Sequence, residues 1–179
     1  MEIAPCYFVS GNHEARIDEY ERFISGLTEL GVNVLNDSKA EITLAGESIE
    51  LLGVSDPSFR VPYLSDYSAG VIRNGLEQLM TDGDGFYVLL SHRPELFEVY
   101  AEYGLDLVLS GHAHGGQFRL PILGGVWSPN QGFFPEYDSG LYKKSNTNMV
   151  VSRGIGNSKF PFRFNNRPEV IVVELKTEQ

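Results

Sequence analysis

The sequence predicts one layered α/β domain spanning residues 1–179. Three observations carry this reading. Strand-sized apolar runs at 86–90 and 105–109 flank a helix-like stretch, the pattern of a βαβ unit with parallel neighbours. Ile17, Tyr20, Phe23, Ile24, Leu27 and Leu30 recur at helical spacing and end at Gly31. Short β-type runs broken by Gly, Pro, Asn and Asp fill the rest, without repeat, linker or low-complexity tract.

The elements follow in order. Cys6 to Val9 reads as a strand that stops at the turn pair Ser10-Gly11, and the amphipathic helix comes next. Residues 32–35, 41–44 and 49–54 read as three strands of a meander, with turns at "NDSK" and "AGES". "SDPSFRVPYLSDYSAG" is loop-like, 71–80 is a second helix, and "TDGDG" breaks it. The strand at 86–90 runs straight into "SHRPE", where Pro94 suits the first turn of a helix over 94–103, ending at Gly104. The strand at 105–109 exits into "GHAHGGQ". Residues 118–145 are irregular, with Trp127, Phe133 and Phe134 among the glycines and prolines. Such aromatics either pack beneath a loop or line a groove. Runs at 148–152 and 169–175 close the chain as strands.

The formal charge of −10 disfavours nucleic acid and anionic lipid as partners. It also makes a bound metal the candidate source of positive charge for an anionic substrate. The single cysteine, Cys6, excludes an internal disulfide and reads as a small buried thiol. No signal peptide and no apolar run of membrane-spanning length is present, so the chain as given is expected to be soluble.

All four histidines, His13, His92, His112 and His114, lie at or just beyond the C-terminal end of an expected strand. Loops at those ends converge on the ligand site in open α/β sheets. Four imidazoles brought to one place point to metal binding. In "GHAH", alternate side chains of an extended backbone share a side, and the flanking glycines leave room for ions and an oxyanion. Asn12 adds a neutral amide oxygen, which suits a mixed nitrogen and oxygen site for Mn, Fe or Zn. Arg60 and Arg93 are candidates for phosphate contact, although surface arginine is the ordinary reading.

"GNHE" at 11–14, the histidine of "SHRPE" at 91–95 and "GHAH" at 111–114, in that order, resemble the calcineurin-like metallophosphoesterases. "GHAHGGQFRLP" and "VSRGIGNSKFPFRFNNRPEVIVVEL" look like a bacterial branch of that family. The resemblance implies a layered αββα sandwich and two divalent ions about 3.5–4 Å apart that clamp a phosphate mono- or diester for in-line attack by water. It implies that Asn12, His92 and His112 ligate one ion and that His114 helps ligate the other. His13 would not be a ligand but would sit near the leaving oxygen as general acid or as a stabiliser of the developing charge, and Glu14 would orient the loop. Two earlier family motifs, Asp-x-His and Gly-Asp-x-x-Asp, do not occur; Gly-Asp stands only at 83–84, without the second Asp. The chain is therefore expected to match the C-terminal portion of the family domain, N-terminally incomplete, and to hold one ion weakly with impaired turnover. In the full-length protein the expected setting is cytoplasmic or membrane-associated, the latter only through an upstream segment. The expected substrate is a small phosphate ester or a lipid-headgroup phosphodiester. The competing expectations are a non-catalytic interaction scaffold on the same fold and a closed structural metal site, which Asn12 and the glycines disfavour.

Overall fold

The computed structural model describes residues 3–44, 46–62, 66–81, 85–157 and 162–176. Parts of the expected turns at "AGES" and "TDGDG", with the Gly-Asp pair at 83–84, lie outside the described residues. In chain order the elements begin with β1 (Cys6–Phe8), α1 (Tyr20–Glu29), β2 (Val32–Val34), β3 (Ser38–Leu44) and β4 (Glu47–Val54). They continue with α2 (Ser68–Leu79), β5 (Phe86–Ser91), α3 (Phe97–Glu102) and β6 (Leu107–Ser110). Two small ladders follow, β7 (Arg119–Leu120) with β8 (Gly124–Gly125) and β9 (Trp127–Ser128) with β10 (Gly132–Phe133). A final hairpin is made by β11 (Gly140–Lys144) and β12 (Thr147–Val151).

The main sheet has six strands in the order β11-β12-β6-β5-β4-β3. Its four inner strands are parallel and its two edge strands antiparallel. The inner strands are buried on both faces, which is why they read as continuous apolar runs. One face packs Leu52, Leu89, Val108 and Met149 against Ile72 and Leu76 of α2 and Phe97 and Tyr100 of α3. The other packs Leu51, Val88 and Leu107 against Leu35 and Tyr7, from the β1–β2 side. The expected βαβ unit is β5–α3–β6, with a single 3-10 turn at Pro94–Leu96 before the helix.

The expected meander forms only in part. β3 and β4 are a hairpin, but β2 pairs in parallel with β1 in a sheet of its own. The α1 crossover between them dictates that direction, since a parallel pair needs a long connection. The chain leaving β2 then crosses β4 so closely that a Cβ at Gly53 would lie 2.0 Å from the Leu35 carbonyl oxygen. Residues 118–145 are less irregular than expected, for they contain the two ladders and the edge strand β11. The strand expected at 169–175 is an extended segment outside any ladder. Ile171, Val172, Val173 and Leu175 line a cleft of ≈460 Å³ with Leu107, Leu141 and Val150. β propensity alone makes no ladder without a strand partner. Cys6 is exposed rather than buried, because it opens β1 at the rim of the two-stranded pair.

Candidate metal centre

Three loops at the carboxyl ends of strands build the site. The first follows β1. Here the Glu14 carboxylate accepts from the Gly11 backbone N–H at 2.8 Å, so Glu14 does hold the "GNHE" loop in shape. Asn12, two residues farther back, is buried. The second follows β5 and carries His92. Its ring lies on Gly11, where a Cβ would come within 2.8 Å of it, so only glycine admits the imidazole. The third follows β6 and carries His112, held at φ +63°.

These residues converge on one point. Asn12 Oδ1 is 2.9 Å from His92 Nε2, and His92 Nε2 is 3.0 Å from His112 Nδ1. Donors at right angles around an ion with bonds of ~2.1 Å stand ~3.0 Å apart. Both separations from His92 Nε2 match the spacing of neighbouring donors in one coordination shell, and the residues fit a divalent ion. Among the described residues no group of three or more His, Cys, Asp or Glu side chains is placed to hold a metal. The third donor is a carboxamide, and the whole set is neutral.

Burial, then the neighbouring His112, pushes His92 down to about 3. Burial likewise pushes His112 down to about 4. Both rings are neutral at pH 7, as ligation requires. Burial also pushes the Glu95 carboxyl up, to about 7. The consequence for stability has a definite sign. An imidazole depressed on folding binds fewer protons than in the unfolded chain, so stability falls as pH drops below ~6.5. Glu95, raised on folding, acts oppositely and loses stability as pH rises from ~4.5 through 7. Two imidazoles outweigh one carboxyl. In chelator-treated protein the melting temperature is expected to fall from pH 6.5 to 4.5, and His92→Gln/His112→Gln is expected to make that slope shallower.

The sequence did not point to Asn130. Its Oδ1 lies 2.9 Å from His112 Nε2, a contact that favours the proton on Nε2 and the lone pair on Nδ1, which faces His92 Nε2. "SPNQG" reads as a turn, and nothing local marks it as a partner of a histidine 18 residues earlier. Asn130→Ala is expected to weaken Mn²⁺ binding ~10–100-fold, the usual effect of losing an outer-shell partner, measured by calorimetry. Glu95 was missed as well. Its Oε1 is 3.9 Å from His112 Nε2 and 3.7 Å from Arg93 Nη1.

His13 and His114 are neighbours of the trio rather than members of it. His114 starts the 3-10 turn His114–Gly116, where burial, Arg163 and His13 lower its pKa. His13 is exposed at the start of the 3-10 turn Glu14–Arg16. Its charge reaches His114, and that of His114 reaches both His92 and His112. Both arginine candidates are already paired with carboxylates. Arg93 is buried in a two-bond pair with Asp56, both at 2.8 Å, and Arg60 bonds Asp37 at 2.8 Å. Phe133 and Phe134 stand 75% and 59% exposed beyond Asn130, not packed beneath the loop.

Against this geometry, a family profile described as calcineurin-like phosphoesterase matches residues 1–116. The chain belongs to that family. The match takes in His13, Asn12, His92, His112 and His114, and stops short of Asn130. An uncharacterized metallophosphoesterase, YkuE of Bacillus subtilis, is 32% identical over 170 residues, covering 94% of this chain and 55% of its own length. The phosphodiesterase YaeI of Escherichia coli is 30% identical over 179 residues, covering 97% of this chain and 59% of its own. A zebrafish (Danio rerio) transmembrane protein with a metallophosphoesterase domain is 32% identical over 177 residues, 95% of this chain and 38% of that one. This member of the family thus spans a little over half the length of the two bacterial relatives. Among the described residues no helix is long and apolar enough to cross a membrane.

Proposed function

We propose that this chain carries the ion-binding half-site of a metal-dependent phosphoric ester hydrolase and acts on a small phosphate ester or phosphodiester. The observation that carries the proposal is the approach of Asn12 Oδ1 and His112 Nδ1 to His92 Nε2, at 2.9 and 3.0 Å. Family membership and the phosphodiesterase name of the Escherichia coli relative support the reaction class. A divalent ion held there would act as a Lewis acid on a phosphoryl oxygen and lower the pKa of water. The remaining work falls to the chain's own residues. Asn130 favours the His112 proton on Nε2. Gly11 leaves the space that the His92 ring fills. His13, exposed at the mouth, serves as general acid to the leaving oxygen, and His114 stands ready as a donor to a second ion.

Three neutral donors bind a dication less firmly than a set with a coordinating carboxylate. One ion bound weakly and slow turnover are therefore expected of this chain. The test is Mn²⁺ titration by calorimetry, followed by hydrolysis of an aryl phosphodiester. His13→Ala is expected to lower the rate ~10²–10⁴-fold with Mn²⁺ binding unchanged. Loss of Mn²⁺ binding in that variant would make His13 a ligand, and an unchanged rate would remove it from the chemistry.

A further inference from the structure

Glu95 lies in the "SHRPE" turn, in the first turn of the 3-10 helix Pro94–Leu96. Its side chain is only 15% exposed, and among the described residues neither carboxylate oxygen has a hydrogen-bond partner. A buried carboxylate without partners is costly, so its position calls for a physical reason. Two groups face it. Arg93 Nη1 lies 3.7 Å away and His112 Nε2 lies 3.9 Å away from the same oxygen, Oε1. Arg93 is already neutralised by Asp56, which accepts from its Nε and from its Nη2, both at 2.8 Å. Counted together, Arg93, Asp56 and an ionised Glu95 leave one surplus negative charge. That charge sits behind His112, on the side of the ring opposite Nδ1.

We propose that Glu95 is the charge-compensating carboxylate of the metal centre. It acts through His112 and not by direct ligation. The Nε2 proton of His112 goes to Asn130, so Glu95, 3.9 Å away, acts on the ring by its charge and not by a hydrogen bond, and a negative charge there favours a cation on the far side of the imidazole. Glu95 supplies the negative charge that the Asn12, His92 and His112 donors lack. In the metal-free chain the same carboxylate has no counter-charge of its own, which makes it a burden on stability. One residue thus has opposite effects on folding and on ion binding. The inference rests on the proposed metal centre, and its test separates the two.

The experiment compares wild type, Glu95→Gln and Glu95→Asp at pH 8. Mn²⁺ affinity is read by calorimetry, and the melting temperature is read after chelation. Glu95→Gln is expected to bind Mn²⁺ 10–100-fold more weakly at unchanged stoichiometry. Its metal-free melting temperature should equal or exceed that of wild type, and Glu95→Asp should recover part of the affinity. Unchanged affinity in Glu95→Gln overturns the role. So does a lowered affinity accompanied by a lowered metal-free melting temperature, which is the mark of a merely structural residue. Wild-type protein that takes up no Mn²⁺ overturns the metal centre itself and this inference with it.

Discussion

His92→Ala is expected to abolish Mn²⁺ binding and, with it, phosphoester hydrolysis. His92 Nε2 is the shared neighbour of the other two donors, 2.9 Å from Asn12 Oδ1 and 3.0 Å from His112 Nδ1. Removing it leaves one amide oxygen and one imidazole, which hold a dication poorly against water. The loss should exceed the ~10–100-fold that follows removal of an outer-shell partner. The fold should survive, because the ring lies at a strand end and His92 belongs to neither packed apolar cluster. Calorimetry with Mn²⁺ reads the first effect and circular dichroism controls for the second. Wild-type affinity in this variant would mean that the ion sits elsewhere.

Arg93→Ala should have the larger effect on stability. Arg93 and Asp56 are both almost wholly buried, joined by two bonds of 2.8 Å, and Arg93 also donates to Ser58 Oγ at 2.8 Å. Burial by itself would push the Asp56 carboxyl up, yet the Arg93 bonds and charge outweigh it and hold the carboxyl below its ordinary value. Deleting the guanidinium strands an unpaired buried charge, at a cost of ~3–5 kcal/mol. In a chain of this size that corresponds to a melting temperature lower by roughly 6–20 °C. The sign with pH follows from the depressed Asp56. Its stabilising contribution is present above ~3.8 and is lost as pH falls below that value. The gap between variant and wild type should therefore be full at pH 7 and close toward pH 3. A variant as stable as wild type at pH 7 would show that the pair contributes nothing net.

Much of this protein was legible from its residues alone, and the pattern of success has a cause. The β5–α3–β6 unit was visible because apolar continuity and the Pro94 and Gly104 signals are local. The approach of the loops that carry His92 and His112 was expected from the rule that strands deliver their C-terminal loops to one place, and Asn12 was added on the chemistry of its amide oxygen. The main misreadings concern pairing. Residues 32–35 make a good strand in any setting, but their partner proved to be β1 and not β3. Residues 169–175 have strand propensity and no ladder. Arg93 follows a site histidine directly, yet it points into the core to meet Asp56, a partner 37 residues away.

The sequence by itself determined the α/β class, the parallel core and the placing of four imidazoles at strand ends, because periodicity and turn chemistry act over a few residues. Only the tertiary structure decided which of those imidazoles meet. It brought Asn12 and His112 within 3.0 Å of His92 while leaving His13 and His114 beside them. It also seated Asn130 and Glu95 behind His112. Those outcomes depend on how separate loops stack at one end of a sheet. The geometry belongs to long-range packing, and no local pattern encodes it.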